Sequence, residues 1–479
     1  MNFRIVFRIL GLLLLLLAGT MLLPISLAAY YGEGSYDAFC YSALLTGVIG
    51  FKLSLIRPKP GAKFGFKESI LVVTFGWILF SIFGGLPYLY SGLNLSGSTF
   101  ETMSGLSTTG ATVFTDIEAL DHATLFWRSL TQWIGGMGIV VLSLAIMPLL
   151  GPSGANLYKA EVPGPTTDKL MPKLQATAKL LWYVYLGITL LQVAAYLAVD
   201  MQLFDAICHS MTTVASGGFS TKNASMAAYN TPSIQWITTG FMFVAGANFA
   251  LHYRMATGKL FVYWKDLEFK TYFFLVALFS SIIAALLLSS SHSDIETAYR
   301  DATFQVVSII TTTGFVSANY TQWPPLAQFF ILLLMFVGGC GGSTSGGVKV
   351  IRIIVLFRNA FIELRKVLHP SGIFHMKLGK TPLKDDVLSK ILSFFFLYLV
   401  TILGVGAILA GLGHDLGTSL SAAVSCVGNI GPTFAGVGPV DNFSVISDPG
   451  KWVLTFGMLA GRLELFTILV LFTKEFWKN

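Results

Sequence analysis

Four short strings of glycine, hydroxyl and small residues are the part of this sequence best suited to chemistry. They are Ser107-Thr108-Thr109-Gly110-Ala111, Val214-Ala215-Ser216-Gly217-Gly218, Thr311-Thr312-Thr313-Gly314-Phe315 and Ser425-Cys426-Val427-Gly428-Asn429. Aligned on Gly110, Gly217, Gly314 and Gly428, they recur at intervals of roughly a hundred residues, the mark of a repeated structural unit. Glycine tolerates backbone angles that aim successive carbonyl oxygens one way without a side-chain clash. Rows of such carbonyls around one axis replace the hydration shell of a dehydrating cation. The chemistry implied is selective passage of a monovalent cation. One string alone carries little weight, because glycine and small residues also recur where membrane helices pack closely.

The composition identifies the medium that must surround these strings. Hydrophobic residues make up 54% of the 479 and charged residues only 11%, against about 25% charged in an ordinary soluble protein. Apolar runs at 9–30, 70–90, 178–199, 271–289, 391–412 and 452–473 each match the thickness of a bilayer core. Less pure runs at 37–56, 124–150, 232–253 and 326–340 bring the expected number of spans to about ten. This predicts an all-α, polytopic membrane protein. Met1–Tyr31 has the basic start and leucine run of a secretory signal. Its apolar stretch, however, exceeds the usual core of about 7–15 residues, so a retained membrane helix is expected. Cys40, Cys208, Cys340 and Cys426 show no CxxC spacing and read as small apolar residues, not as disulfides or metal ligands.

The net charge of +7 is a matter of topology, not of nucleic-acid binding. With the N-terminus cytoplasmic, the inner segments 52–67, 159–179, 254–270 and 349–390 and the two ends hold most of the basic residues. Outside fall Lys222, Arg300 and Lys451, with Arg128 and Arg462 within or beside spans. Basic residues in short loops stay on the cytoplasmic side, so both termini are expected inside.

Each repeat has one grammar: an outward span, a half-length segment, the glycine string, an inward span. The half-length segments are 98–107, 203–214, 298–311 and 416–425, the first opening on the capping-box pattern Ser98-Thr99-Phe100-Glu101. Non-helical backbone survives at membrane depth only when buried in protein or lining a wet cavity. Four re-entrant pore helices around one axis follow, with their C-terminal ends pointing partial negative charge at the path beneath. The expected units are 1–57 (an extra helix pair), then pore repeats 58–150, 151–256, 257–370 and 371–479.

The chain resembles the Trk, Ktr and HKT superfamily of cation transporters, and most of all its bacterial Trk branch. The resemblance rests on Ser107–Ala111, Trp127-Arg128-Ser129 through Gly135-Gly136-Met137-Gly138, Glu161-Val162-Pro163-Gly164-Pro165 and Gly461-Arg462-Leu463-Glu464. It implies potassium uptake across a bacterial inner membrane, with K+ at the filter and glycine in all four positions as in the potassium-selective pattern. Ala111, Gly218, Phe315 and Asn429 after the aligned glycines diverge more than in a symmetric potassium channel. The resemblance also implies a homodimer with one pore per protomer. It further implies a separate cytosolic nucleotide-binding ring through which nucleotide acts, so that no cofactor is bound by this chain.

Two further features interrupt predicted spans. Gly338-Gly339-Cys340-Gly341-Gly342-Ser343-Thr344-Ser345-Gly346-Gly347 is too rich in glycine to continue a helix, each glycine costing up to about 1 kcal/mol relative to alanine. Lys349 does not complete a GxxxxGK[ST] phosphate loop. The segment reads either as an intramembrane loop that obstructs the pore and moves to open it, which the resemblance favours, or as a simple connection. Arg462 lies inside the last span, where a charge is costly and faces a wet interior or a partner. It reads as a pore-facing barrier to cations, the alternative being carbonyl contacts that lock the fourth repeat. Glu464, two residues on, lies on another helix face and is not its expected partner.

Asp116, Glu118, Asp121, Asp200, Asp294, Glu296, Asp301, Asp415, Asp441 and Asp448 fall in outer segments, where they concentrate cations or are ordinary solvated charge. An ion-coupled carrier, driven by protons or sodium, needs carboxylates at the midplane, and Glu101 and Glu464 are the candidates. A less selective K+/Na+ pathway and a non-transporting scaffold are the remaining alternatives. No zinc spacing, nucleophile elbow or nucleotide-binding motif points to an enzyme. The basic segments 349–390 and 159–179 are candidate surfaces for the ring or for anionic membrane lipid.

Overall fold

The computed structural model describes residues 1–58, 64–138, 174–229, 231–259, 261–290, 294–372, 374–378, 381–383 and 385–478. The Glu161–Pro165 stretch, the 150/151 repeat boundary and most of the basic segment 159–179 lie outside these residues. Among the described residues the regular secondary structure is helical, save one two-residue ribbon in which Lys377–Leu378 pairs antiparallel with Thr381–Pro382.

Among the described residues, five helices are long and apolar enough to cross a membrane: Phe3–Tyr31, Phe66–Tyr90, Thr177–Leu197, Leu267–Ser290 and Asp386–Gly411. This is a multi-pass membrane protein. A 20-residue helix, Ser35–Ser54, packs back on the first. Two of the inward runs expected as single spans are broken. Pro232–Ala245 turns by 99° into Phe249–Ala256, and Asp448–Arg462 turns by 114° into the 466–472 segment. Pro325–Leu334 gives way to the glycine-rich loop before helix Val350–Leu368 begins. His122–Gly136 ends just before the described residues stop at Gly138. The break after Arg462 passes through Glu464 and Leu465, non-glycine residues with φ of 55° and 35°, a conformation that surrounding contacts must hold.

Four short helices, Leu95–Leu106, Leu203–Val214, Ile295–Ile310 and Leu416–Gly428, lie in the interior. Their sequences explain their place. Ser96–Leu106 is rich in serine, threonine and glycine, yet every residue of it is buried, so its polar groups must be satisfied by protein. Three of the four have side-chain caps, in which Asn94, Asp294 and Asp415 accept from the backbone N–H of Gly97, Thr297 and Thr418. The first helix therefore starts at Leu95 under Asn94, not at the Ser98 capping box, and Glu101 is left for another task. The four cysteines are free thiols, with Cys40 half-buried and the others buried.

Candidate functional site

Each short helix ends in the same turn. Thr108, Ser216, Thr312 and Asn429 have φ of 56°, 56°, 55° and 54°, and two residues later Gly110, Gly218, Gly314 and Gly431 have φ of 81°, 76°, 77° and 97°. The residue between them donates its N–H five residues back in every case. Thr109 bonds Ser104 O at 2.9 Å, Gly217 bonds Thr212 O at 2.8 Å, Thr313 bonds Ser308 O at 2.9 Å and Ile430 bonds Ser425 O at 3.0 Å. The geometric counterparts of Gly110 and Gly314 are thus Gly218 and Gly431, which corrects the sequence alignment on Gly217 and Gly428. Gly217 occupies the position of Thr109. Cys426, Val427 and Gly428 are still helical, and the fourth string runs on through Ile430 and Gly431. Asn429 held the missed signal, because asparagine tolerates the left-handed region better than other residues with side chains.

The glycines are required by close approach as well as by φ. A side-chain carbon on Gly110 would collide with Gly217 O, on Gly218 with Thr313 O and on Gly314 with Ile430 O; on Gly431 it would lie 2.8 Å from Thr109 O. Each carbonyl that precedes a glycine therefore lies against the glycine of the neighbouring string, and the order of contact returns from the fourth string to the first.

Buried polar groups brace the strings from behind. Arg128 and Glu101, both at most 1% exposed, form an ion pair at 2.9 Å. Arg128 also donates to Ser220 O at 3.1 Å and to Thr112 Oγ1 at 3.2 Å, while Glu101 accepts from Val113 N at 2.9 Å. The pair joins the outgoing ends of the first and second strings. Gln132 grips the second string twice, donating to Gly217 O at 2.7 Å and accepting from Phe219 N at 3.0 Å. Asn429 donates to Thr109 Oγ1 at 3.0 Å and to Met458 O at 3.1 Å, tying the fourth string to the first. Neither Gln132 nor the Glu101–Arg128 contact was foreseen, because their partners lie far away in sequence.

Where the chain leaves the strings, a cavity of about 70 Å³ is bounded by Gly110, Gly218, Gly314 and Pro432, with Lys222 and Asp441 at its wall. Of the other acidic residues, Asp116 and Glu118 hold Asn223, through bonds of 2.9 Å from its side chain and 3.1 Å from its N–H. The bond from the Asn223 amide holds the Asp116 carboxyl below the usual carboxylate range. Asp294 and Asp415 are helix caps, Glu296 pairs with Arg300, and Asp448 accepts from Asn94 and Ser96. Asp205, which the sequence reading passed over, faces Lys222 at 3.5 Å.

On the opposite side, where the short helices end, the glycine-rich loop touches the second, third and fourth turns and is joined to the first through Arg462. The Thr344 hydroxyl lies 2.8 Å from Ser216 Oγ, and Gly346 donates its N–H to Thr312 Oγ1 at 2.6 Å. A carbon on Gly346 would sit 2.9 Å from Asn429 Cβ. Thr108 is reached through Arg462, whose Nη1 donates to Thr108 Oγ1 and to Thr344 O, both at 3.0 Å. Arg462 Nη2 also donates to Gly135 O at 2.9 Å. Arg462 thus both lies beneath the turns and makes carbonyl contacts. Glu464, which lies in the break beyond the helix and not on one of its faces, pairs with Arg352 at 2.7 Å.

Residues 37–478 match the family model described as "Cation transport protein". The chain is 40% identical to the Trk system potassium uptake protein TrkH of Escherichia coli K12, over 100% of both chains. It is 33% identical to TrkG of the same organism, over 99% of each. The fold matches the crystal structure of the potassium transporter TrkH from Vibrio parahaemolyticus with a TM-score of 0.89, at 37% identity and full coverage of both chains. The shared turn geometry, the loop beneath it and these end-to-end likenesses lead to one conclusion: the chain belongs to the TrkH family of cation transport proteins.

Proposed function

We propose that this chain is the pore-forming subunit of a potassium uptake system in the bacterial inner membrane. The four strings form one selectivity filter at the centre of four membrane–pore–membrane units. The observation that carries this reading is the cyclic carbonyl-to-glycine contact, which runs through all four strings and returns to the first. Carbonyls so arranged suit a cation that has shed its water. The names of the 40% and 33% identical relatives support potassium as that cation, and so does a left-handed glycine in every string.

The loop of residues 338–347 obstructs the path below the filter, and Arg462 adds a positive barrier there. Both termini are cytoplasmic, on the strength of the basic inner segments. Two protomers associate, each with its own pore, and a cytosolic nucleotide-binding ring acts on the basic face that includes 349–390. Anionic lipid meets the same basic residues at the membrane edge. A proton- or sodium-coupled carrier fits less well, since the two midplane carboxylates are committed: Glu101 to Arg128 and Glu464 to Arg352.

The test is ⁸⁶Rb⁺ uptake into proteoliposomes holding the purified chain, competed with K⁺ and with Na⁺, alongside Gly110→Ser and a chain shortened in the 338–347 loop. Uptake blocked by K⁺ but not Na⁺, with discrimination weakened by Gly110→Ser, is expected. Absence of cation flux even from the loop-shortened chain would sink the pore reading.

A further inference from the structure

The glycine-rich loop divides into a root and a tip. At the root, Gly338 N donates to Val348 O at 2.8 Å and Val350 N to Gly339 O at 3.1 Å, which draws the two ends of the loop together. Cys340 N donates to Gly246 O at 2.9 Å, and Phe249 N to Gly342 O at 3.0 Å, so the root is also seated on the break of the second repeat. The tip, Ser343–Gly347, makes the contacts to the second, third and fourth turns and, through Arg462 on Thr344 O, to the first. Gly342 and Gly347, with φ of 75° and 63°, mark its two boundaries.

One side chain from outside the loop clamps the root. Glu268, in the first turn of helix Leu267–Ser290, accepts two backbone N–H groups on the same oxygen, Oε1: Gly341 at 2.7 Å and Ile351 at 2.9 Å. The first donor belongs to the loop and the second to the opening turn of helix Val350–Leu368. Both bonds are charge-assisted, and the carboxylate also lies at the positive end of that helix. A segment this rich in glycine loses more backbone freedom on ordering than any other, so its single pose needs strong external contacts.

We propose that Glu268 is the positioning residue that holds the loop in its obstructing pose, by locking the loop root to the first turn of helix Val350–Leu368. The inference rests on the gated-pore reading above. The same turn is held on its other side by Arg352, through Glu464. The root and helix therefore move as one piece while Glu268 is in place, and any displacement of the helix reaches the tip.

The test measures K⁺-blocked ⁸⁶Rb⁺ flux through Glu268→Ala and Glu268→Gln in proteoliposomes, in the full chain and in the chain shortened between Ser343 and Gly347. Glu268→Ala is expected to raise flux several-fold. Glu268→Gln, whose neutral oxygen still accepts a bond, should raise it less, and it carries the test if the alanine variant fails to fold. K⁺-over-Na⁺ discrimination should stay that of the parent, because the filter is untouched, and neither variant should change flux in the shortened chain. Parental flux in both Glu268 variants while the shortened chain conducts would overturn this proposal alone. So would an effect of equal size in the shortened chain, which would mark Glu268 as merely structural. A shortened chain without flux would overturn the pore reading and this inference with it.

Discussion

Replacing Gly431 and Gly428 separately by alanine distinguishes two assignments of the fourth filter glycine, three residues apart in one string. Gly431 has φ of 97°, outside the range ordinary side chains adopt, and an added carbon would lie 2.8 Å from Thr109 O. The backbone penalty alone is about 1–2 kcal/mol. The oxygen that must give way belongs to a main chain, not to the end of a flexible side chain. Relief of that strain can alter ion preference by no more than the strain itself, and about 1.4 kcal/mol corresponds to a factor of ten. Gly431→Ala should therefore lower K⁺-over-Na⁺ discrimination by roughly 5- to 30-fold. Gly428 closes a helix, where alanine is favoured by up to about 1 kcal/mol. The nearest atom to its added carbon is the tip of the Ile430 side chain, at 2.9 Å. Gly428→Ala should leave discrimination within about three-fold of the parent, since the contact is relieved at the flexible end of a side chain, where a modest rotamer shift costs about 0.5 kcal/mol. Competition of ⁸⁶Rb⁺ uptake by K⁺ and Na⁺ reads both. A collapse in Gly428→Ala with parental behaviour in Gly431→Ala would refute the geometric register.

Other consequences concern the charged groups around the strings. Arg462→Gln removes the guanidinium that bridges Thr108 to Thr344, so flux through the isolated chain should rise; proteoliposome uptake at or below the parental rate would contradict this. Glu101→Ala strands the buried Arg128 charge and should destabilise the protein by about 3–5 kcal/mol, seen as a lower thermal unfolding midpoint in detergent. Removing both partners as Glu101→Leu with Arg128→Leu should cost less than the sum of the single changes, and strict additivity would show that the pair does not act as a unit.

Much of this protein is legible along the chain. Charge depletion and long apolar runs demand a membrane, because so few charges cannot cover a water-exposed surface. The half-length segments and the glycine strings are local signals, and all four short helices lie within a few residues of where pattern placed them. The register within the second and fourth strings was not legible. Gly217 and Gly218 are equally plausible in one dimension, and only the turn, with its left-handed residue and its bond five residues back, selects Gly218 and extends the fourth string to Gly431. The bends of 99° at 246–248 and 114° at 463–465 were not legible either: the runs 232–253 and 452–473 are each long enough to read as one span, and Asn248 or Glu464 alone does not announce a turn. Arg462 and Glu101 are conspicuous in the sequence as charges at membrane depth, which must be paired to be tolerated, whereas Glu268 falls in the inner segment 254–270 and carried no such signal. Their partners lie as far as 354 residues away, so the tertiary structure alone decided which backbone groups each of them holds.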